Sequence, residues 1–181
     1  PCGTLFPFTT LFQSTTHNIT MTVDDGNGNT TDCMVVLTGD DATDPVITTC
    51  PPDRSVSLNG SCELIVPDLT GDVVASDNCT PAGSLTITQL PAAGAALASG
   101  EGSTHNVTMT VDDGNGNTAS CVVTLTGDDD TDPLALCQDI TLQLDVFGNV
   151  SIDSSDVDNG STDNCGIATM TLDISSFTCA D

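Results

Sequence analysis

The sequence predicts an all-β chain built from tandem, disulfide-stapled sandwich modules, and three observations predict it. The first is self-similarity. "THNITMTVDDGNGNTTDCMVVLTGDDATDP" begins at Thr16 and "THNVTMTVDDGNGNTASCVVTLTGDDDTDP" begins at Thr104. His17 and His105, Cys33 and Cys121, and Pro45 and Pro133 correspond, each pair 88 positions apart, a period the size of one small domain. The second is period-2 alternation of Val, Ile, Leu and Met with Thr, Ser and Asn, and no segment carries helical periodicity. The third is nine Cys in a 181-residue chain that has five Phe and no Trp or Tyr. Modules with so little aromatic core are marginal on burial alone, and disulfides supplement them.

The repeat sets the boundaries. Residues 1–44 read as the C-terminal part of a module, 45–132 as a complete module, and 133–181 as the N-terminal part of a further one. Within the complete module, "RSVSL" (54–58) leads through Asn59-Gly60 into "CELIVP" (62–67), a hairpin by its turn residues. "SLTITQL" (84–90) follows a polar loop. "THNVTMTVD" then puts His105, Val107, Met109 and Val111 on one face, and after the turn "DGNGN" the strand "ASCVVTLTG" points Cys121, Val123 and Leu125 inward. Five clear strands plus one or two weak ones in one period predict an immunoglobulin-like sandwich.

Cysteine placement predicts the staples. Cys50 opens the central module and Cys121 faces inward on its last strand, so they pair. Cys62 then takes Cys79, and Cys165 takes Cys179. Cys33 and Cys137 are left without partners in their partial modules and bond outside this stretch or across a chain boundary, with Cys2 left over. The 44 residues before the central module and the 49 after it total about one period. Either the stretch belongs to a longer tandem chain or copies complete one another and polymerise. Zinc is disfavoured, because no Cys-x-x-Cys occurs and the two His lie in separate repeats.

Charge excludes several functions. Of 26 acids 24 are Asp, Arg54 is the only base, and the formal net charge is −25. Nucleic acid is excluded as a partner, since phosphate binding needs Lys and Arg, and docking to anionic membranes is disfavoured. Absence of Lys rules out Schiff-base chemistry and Lys–Asn crosslinks. No apolar run reaches the ~18 residues of a bilayer span, and no membrane insertion is expected. Nucleophile, zinc-protease and phosphate-loop motifs are missing, and a glycosidase carboxylate pair is disfavoured because aromatics to stack sugars are scarce. His17 and His105 read as structural. The chain is expected not to be an enzyme.

The order "DP…CPPD…GSCELIVP…SDNC…THNVTMTVDDGNGNTASCVVTLTGDD" resembles the hyalin-repeat module, most of all its Cys-rich version in long repetitive surface proteins of Bacteroidetes. The match covers 45–132 in full and 1–44 and 133–181 as parts. It departs at Met109, where an aromatic is usual, at "LASGEGS" in place of an "FPxG" turn, and at Gly148-Asn149 in place of Gly-Ser-Cys around Cys62. The resemblance implies immunoglobulin-like, extracellular adhesion or stalk units, exported in bacteria by type IX secretion.

The acidic loops supply a mechanism. In such a sandwich the loop between strands two and three and the last hairpin loop share the end at which the chain comes in. That end collects Asp40, Asp41 and Asp44 from the linker, Asp77 and Asn78 from the middle loop, and Asp112, Asp113 and Asn115 from the last hairpin. Carboxylates and amide carbonyls meeting at one point suit a hard cation, and Ca²⁺ takes six to eight oxygens. The next module repeats the design, with Asp128, Asp129, Asp130 and Asp132 facing Asp163 and Asn164. The bland alternative is that Gly-Asn-Gly-Asn is simply good turn chemistry and the Asp are solvated. An EF-hand fits poorly: Asp25, Asn27 and Asn29 match its alternation, but Thr30 stands where Gly is required and Val36 where Glu is.

The expected function is therefore structural: an extracellular, Ca²⁺-rigidified array of modules forming a cell-surface stalk, adhesin or filament, with neighbouring modules or copies of itself as partners. A ligand-binding module for glycan or protein is the alternative, for which the cluster Phe6, Phe8 and Phe12 would serve as an exposed patch.

Overall fold

The computed structural model describes residues 16–179, and they form an all-β protein with very little helix. In chain order the first strands are β1 (Thr16–Asp24), β2 (Thr30–Thr38), β3 (Val46–Thr49), β4 (Arg54–Ser57) and β5 (Glu63–Ile65). Next come β6 (Val74–Ser76), β7 (Thr86–Leu90), β8 (Ala96–Ala98), β9 (Thr104–Asp112) and β10 (Thr118–Asp128). The last are β11 (Asn149–Ser151) and β12 (Ser176–Thr178), with one helical turn, α1 (Ser154–Val157), between them. The largest sheet has the order β4-β10-β9-β7, and β1-β2, β3-β6, β5-β8 and β11-β12 form two-stranded sheets. Two compact units divide the chain, one within 1–53, 66–95 and 106–124, the other within 54–65, 96–105 and 125–181.

The first unit holds the best-packed core. Val107, Met109 and Val111 of β9 and Val123 of β10 are fully buried, and Val66, Leu69, Val73 and Ala75 are buried with them. Val107, Met109, Val111 and Val123 are among the positions that the alternation of "THNVTMTVD" and "ASCVVTLTG" assigned inward. Cys50 and Cys121 are bonded across this unit, S–S 2.04 Å and 71 residues apart in sequence. The β1–β2 hairpin carries the same sequence pattern in a regular register, Ile19 opposite Val35 and Met21 opposite Cys33, yet every residue of both strands is exposed.

In the second unit the chain departs from expectation around Asn59. The turn closes as its residues predict: Asn59 Oδ1 accepts from the Ser61 and Glu63 N–H groups, both at 2.9 Å, and Asn59 N donates to Glu63 O at 3.0 Å. The two arms do not form a hairpin. β4 runs parallel to Leu125–Asp128 of β10, and β5 pairs with β8, Glu63 opposite Ala98. The turn is a corner, because Asn59 and Cys62 (φ +58°) send the arms to different partners. β3, β6 and β8 were not read from the sequence: each has only three or four residues, and unlike β4 and β5 they do not flank an Asn-Gly turn. α1 is held by a capping box, Asp153 accepting from Ser155 N and Asp156 from Asp153 N.

The second corner repeats the first. Asp145 Oδ1 accepts from Phe147 N and Asn149 N at 2.8 and 2.9 Å, and Asp145 N donates to Asn149 O at 2.9 Å. β11 pairs with β12, Asn149 opposite Thr178, as Glu63 pairs with Ala98. Gly148 (φ +77°) takes the place of Cys62, so the Gly148-Asn149 departure keeps the left-handed backbone and drops the sulfur.

That corner also corrects two predicted disulfides. Cys62 is bonded to Cys165 (S–S 2.00 Å), not to Cys79, and Cys179 is free rather than bonded to Cys165. Asn164 Nδ2 donates to Asn59 O at 3.2 Å and brings Cys165 to the corner, whereas Cys79 lies in the other unit with its N–H on Asp77 Oδ2 at 2.7 Å. The Cys179 sulfur lies against Gly148, 2.5 Å from where a Cβ would stand, which places it at the Gly148 corner instead of beside Cys165. Cys33 and Cys137 are free and exposed. Cys2 and the Phe6, Phe8 and Phe12 cluster lie outside the described residues.

Candidate metal centre

The motif "VDDGNGNT" folds into the same turn in both copies. In the first, Asp25 Oδ1 accepts from Asn27 N at 2.8 Å and Asn29 N at 3.2 Å, and Oδ2 accepts from Asn29 Nδ2 at 2.7 Å. In the second, Asp113 Oδ1 accepts from Asn115 N at 2.8 Å and Asn117 N at 3.1 Å, and Oδ2 from Asn117 Nδ2 at 2.7 Å. The two Gly in each turn take positive φ, Gly114 at +80° and Gly116 at +104°, a conformation open to Gly at little cost. Turn chemistry is thus satisfied without any ion. The hydrogen bonds from Asn29 and Asn27 hold the Asp25 carboxyl below its usual range. At Asp113 burial pushes the pKa up, but the bonds from Asn117 and Asn115 outweigh it and the net shift is downward.

Among the described residues, only the second copy meets further acids. Asp41, Asp77 and Asp113 each offer a carboxylate oxygen, all within 4.8 Å of one another. The three come from three separate stretches of the chain: the linker, the loop after β6, and the β9–β10 turn. Asp41 and Asp113 are buried. A mesh of polar contacts ties the loops together. Asn117 Nδ2 donates to Asp41 O at 3.1 Å, Thr80 Oγ donates to Asp113 O at 3.1 Å, and Asn115 Nδ2 reaches Thr80 Oγ at 3.3 Å. Asp77 Oδ2 accepts from Cys79 N and Thr80 N at 2.7 and 2.8 Å, while its Oδ1 is buried and has no hydrogen-bond partner.

The donor set fits a hard divalent cation. The available atoms are carboxylate, carbonyl and hydroxyl oxygens, and Asp77 Oδ1 is an orphaned buried acceptor, which ordinarily requires a partner. The neighbouring Cys79 thiol is pushed up, by burial first and then by the charges of Asp41, Asp77 and Asp113, so it stays protonated and is no thiolate ligand. Three carboxylates this close repel one another unless a cation or protons intervene.

Other predicted ligands lie elsewhere. Asp40 and Asp44 are exposed, Asn78 is exposed with its Nδ2 3.1 Å from the Cys79 sulfur, and Asp112 caps the turn by accepting from Gly114 N at 2.7 Å. Asn115 stands next to the cluster with its amide 3.5 Å from Asp41 Oδ2. Among the described residues the second predicted set does not assemble. Asp130 accepts from Ser57 Oγ at 2.8 Å, Asp129 N donates to Glu101 at 2.6 Å, and Asp128 and Asp132 are exposed. Asp163 Oδ2 accepts from Cys165 N at 2.8 Å, and Asn164 is engaged at the Asn59 corner. Sequence reasoning missed Asn117 and Thr80. Asn117 was visible as the fifth residue of the Asp113 turn; Thr80 carried no signal beyond following "DNC".

Comparisons with protein-family models, with curated proteins and with solved structures find no match for this chain.

Proposed function

We propose that this chain is part of an extracellular structural protein, a tandem array of immunoglobulin-like, hyalin-repeat-type modules whose joints are stiffened by Ca²⁺, and that it serves as a surface stalk, adhesin or filament. The module limits are those of the repeat, with 45–132 complete. The observation that carries the reading is the meeting of Asp41, Asp77 and Asp113. One of them lies on the linker leading into the module and two on the module's own loops, so an ion there would tie the linker to the body. The unpartnered Asp77 Oδ1 adds support. The Cys50–Cys121 bond suits an oxidising compartment. In this mechanism disulfides hold the modules, and the cation both fixes the joint and offsets a net charge of −25.

Calorimetric titration of the chelator-stripped chain with Ca²⁺ tests it. The wild type is expected to bind at or below millimolar Ca²⁺. Asp41→Ala with Asp113→Ala should abolish that binding, and Asp163→Ala should leave it intact. Absence of binding up to millimolar Ca²⁺, or equal binding by the double variant, would sink the proposal.

A further inference from the structure

The apolar face of the β1–β2 hairpin has a buried counterpart in the same molecule, and that counterpart shows what covers it. Ile19, Met21, Val23, Val35 and Leu37 correspond to Val107, Met109, Val111, Val123 and Leu125 across the 88-residue repeat. The first set is about half exposed, and the second is 0% exposed. In the second copy, Val107 to Val123 are buried together with Val66, Leu69 and neighbours, and Leu125–Asp128 pairs in parallel with Arg54–Ser57. Cys121 there is bonded to Cys50.

Counterparts of the 54–66 part of that cover also exist, with Ile140, Leu142 and Leu144 exposed and Val150 and Ile152 half-buried, while the counterpart of Leu69 is Ser155. The Asp145 corner repeats the Asn59 corner, so Leu144, Val150 and Ile152 correspond to Leu58, Leu64 and Val66, and 140–143 correspond to β4. Ile140, Leu142, Leu144, Val150, Ile152 and Phe177 line an open apolar groove of about 290 Å³. Residues 140–144 lie outside any strand, although their equivalents in β4 pair with β10. Cys137, the equivalent of Cys50, is exposed and free, as is Cys33, the equivalent of Cys121. Among the described residues, the exposed hairpin and the open groove carry the sequence patterns that meet in the second copy.

We propose that the β1–β2 hairpin of one copy docks into the 140–152 groove of a second copy. Leu37–Asp40 adds in parallel to 140–143, with Leu37 opposite Ile140 as Leu125 is opposite Arg54. The contact is heterologous, so each copy offers one free hairpin and one free groove and the contact propagates from copy to copy. In this register Cys33 of one copy, four residues before Leu37, lies one position out of step with Cys137 of the next, three residues before Ile140, and the two are neighbours at the same edge. An oxidised low-molecular-weight disulfide such as oxidised glutathione then converts them to a disulfide: the two thiols give up two protons and two electrons, the Cys33–Cys137 S–S bond forms, the glutathione S–S bond breaks, and two glutathione thiols leave. The proposal names the partner within the array reading. It takes from that reading the equivalence of the repeats and nothing from the cation.

The test mixes ¹⁵N-labelled and unlabelled 181-residue chains, with EDTA or with Ca²⁺, exposes them to oxidised glutathione, and maps disulfides without reduction. Expected are a ladder of covalent oligomers and mixed-isotope Cys33–Cys137 peptides in both arms. Val35→Asp, on the docking face, should cut their yield at least tenfold. Val36→Asp, equally exposed on the opposite face, should stay within twofold of wild type; retention of Cys50–Cys121 certifies folding of both. Monomers only, Cys33–Cys137 peptides with no mixed-isotope fraction, Cys33–Cys33 bonds, or equal effects of the two Asp variants would each overturn the proposal. Loss of Ca²⁺ binding with the ladder intact strikes the cation-stiffened joint alone.

Discussion

Met21 and Met109 occupy the same position of the same repeated strand, yet truncating them should have very unequal consequences. Met109 is 0% exposed and Met21 54%. Met109→Ala removes a fully buried side chain and leaves a cavity in the core, for which about 2–5 kcal/mol is the usual cost. Met21→Ala removes atoms already half in water and should cost no more than about 0.5 kcal/mol. At roughly 2–4 °C per kcal/mol for a chain of this size, Met109→Ala lowers Tm by about 10 °C. The chain has no Trp or Tyr, so urea unfolding is best followed by far-ultraviolet circular dichroism, in dilute protein with Cys50–Cys121 intact. Hydrogen exchange at Val107 and Val123 would localise the loss. If Met21→Ala costs as much as Met109→Ala, or Met109→Ala costs under about 1 kcal/mol, then the buried set around β9 and β10 does not hold the fold together as described.

Two further outcomes are expected. Replacing Cys50 and Cys121 together by Ser should destabilise the chain by about 4 kcal/mol, from the loop entropy of a 71-residue separation, measured by the same urea titration; a change under about 1 kcal/mol would contradict it. In chelator, the Asp113 carboxyl titrates below its ordinary value of 3.8, because hydrogen bonds from Asn117 and Asn115 outweigh burial. Its contribution is therefore fully present above that value and lost as pH falls through the lower folded one. The acid limb of the stability curve should begin below about pH 4 and become shallower in Asp113→Asn, whereas a limb beginning near pH 6 would contradict the assignment.

Legibility in the sequence followed range. The Asp113 turn is closed by bonds to residues two and four positions on, so its residues alone specify it, and Asp25 builds it again without any help from the rest of the chain. β9 and β10 are long enough for alternation to mark their inward faces. The sequence reading gathered Asp41, Asp77 and Asp113 with five neighbours from the loop order expected of a sandwich, and these three meet. The equivalent acids at Asp128, Asp130 and Asp132 looked the same and did not meet Asp163.

By itself, then, the sequence determined the repeat, the strand character and the local turns, because each rests on neighbouring residues or on a period that can be counted; the Cys50–Cys121 pairing was read from the ends of one module, across 71 residues. Tertiary structure decided that β4 leaves Asn59 to run parallel to β10, and that Cys62 bonds Cys165 across 103 residues. It also decided that one "THNxTMTVDDGNGNT" strand is core while its twin is surface. Burial is a property of what lies opposite a side chain, and two strands of nearly identical sequence carry no information about which of them has been covered.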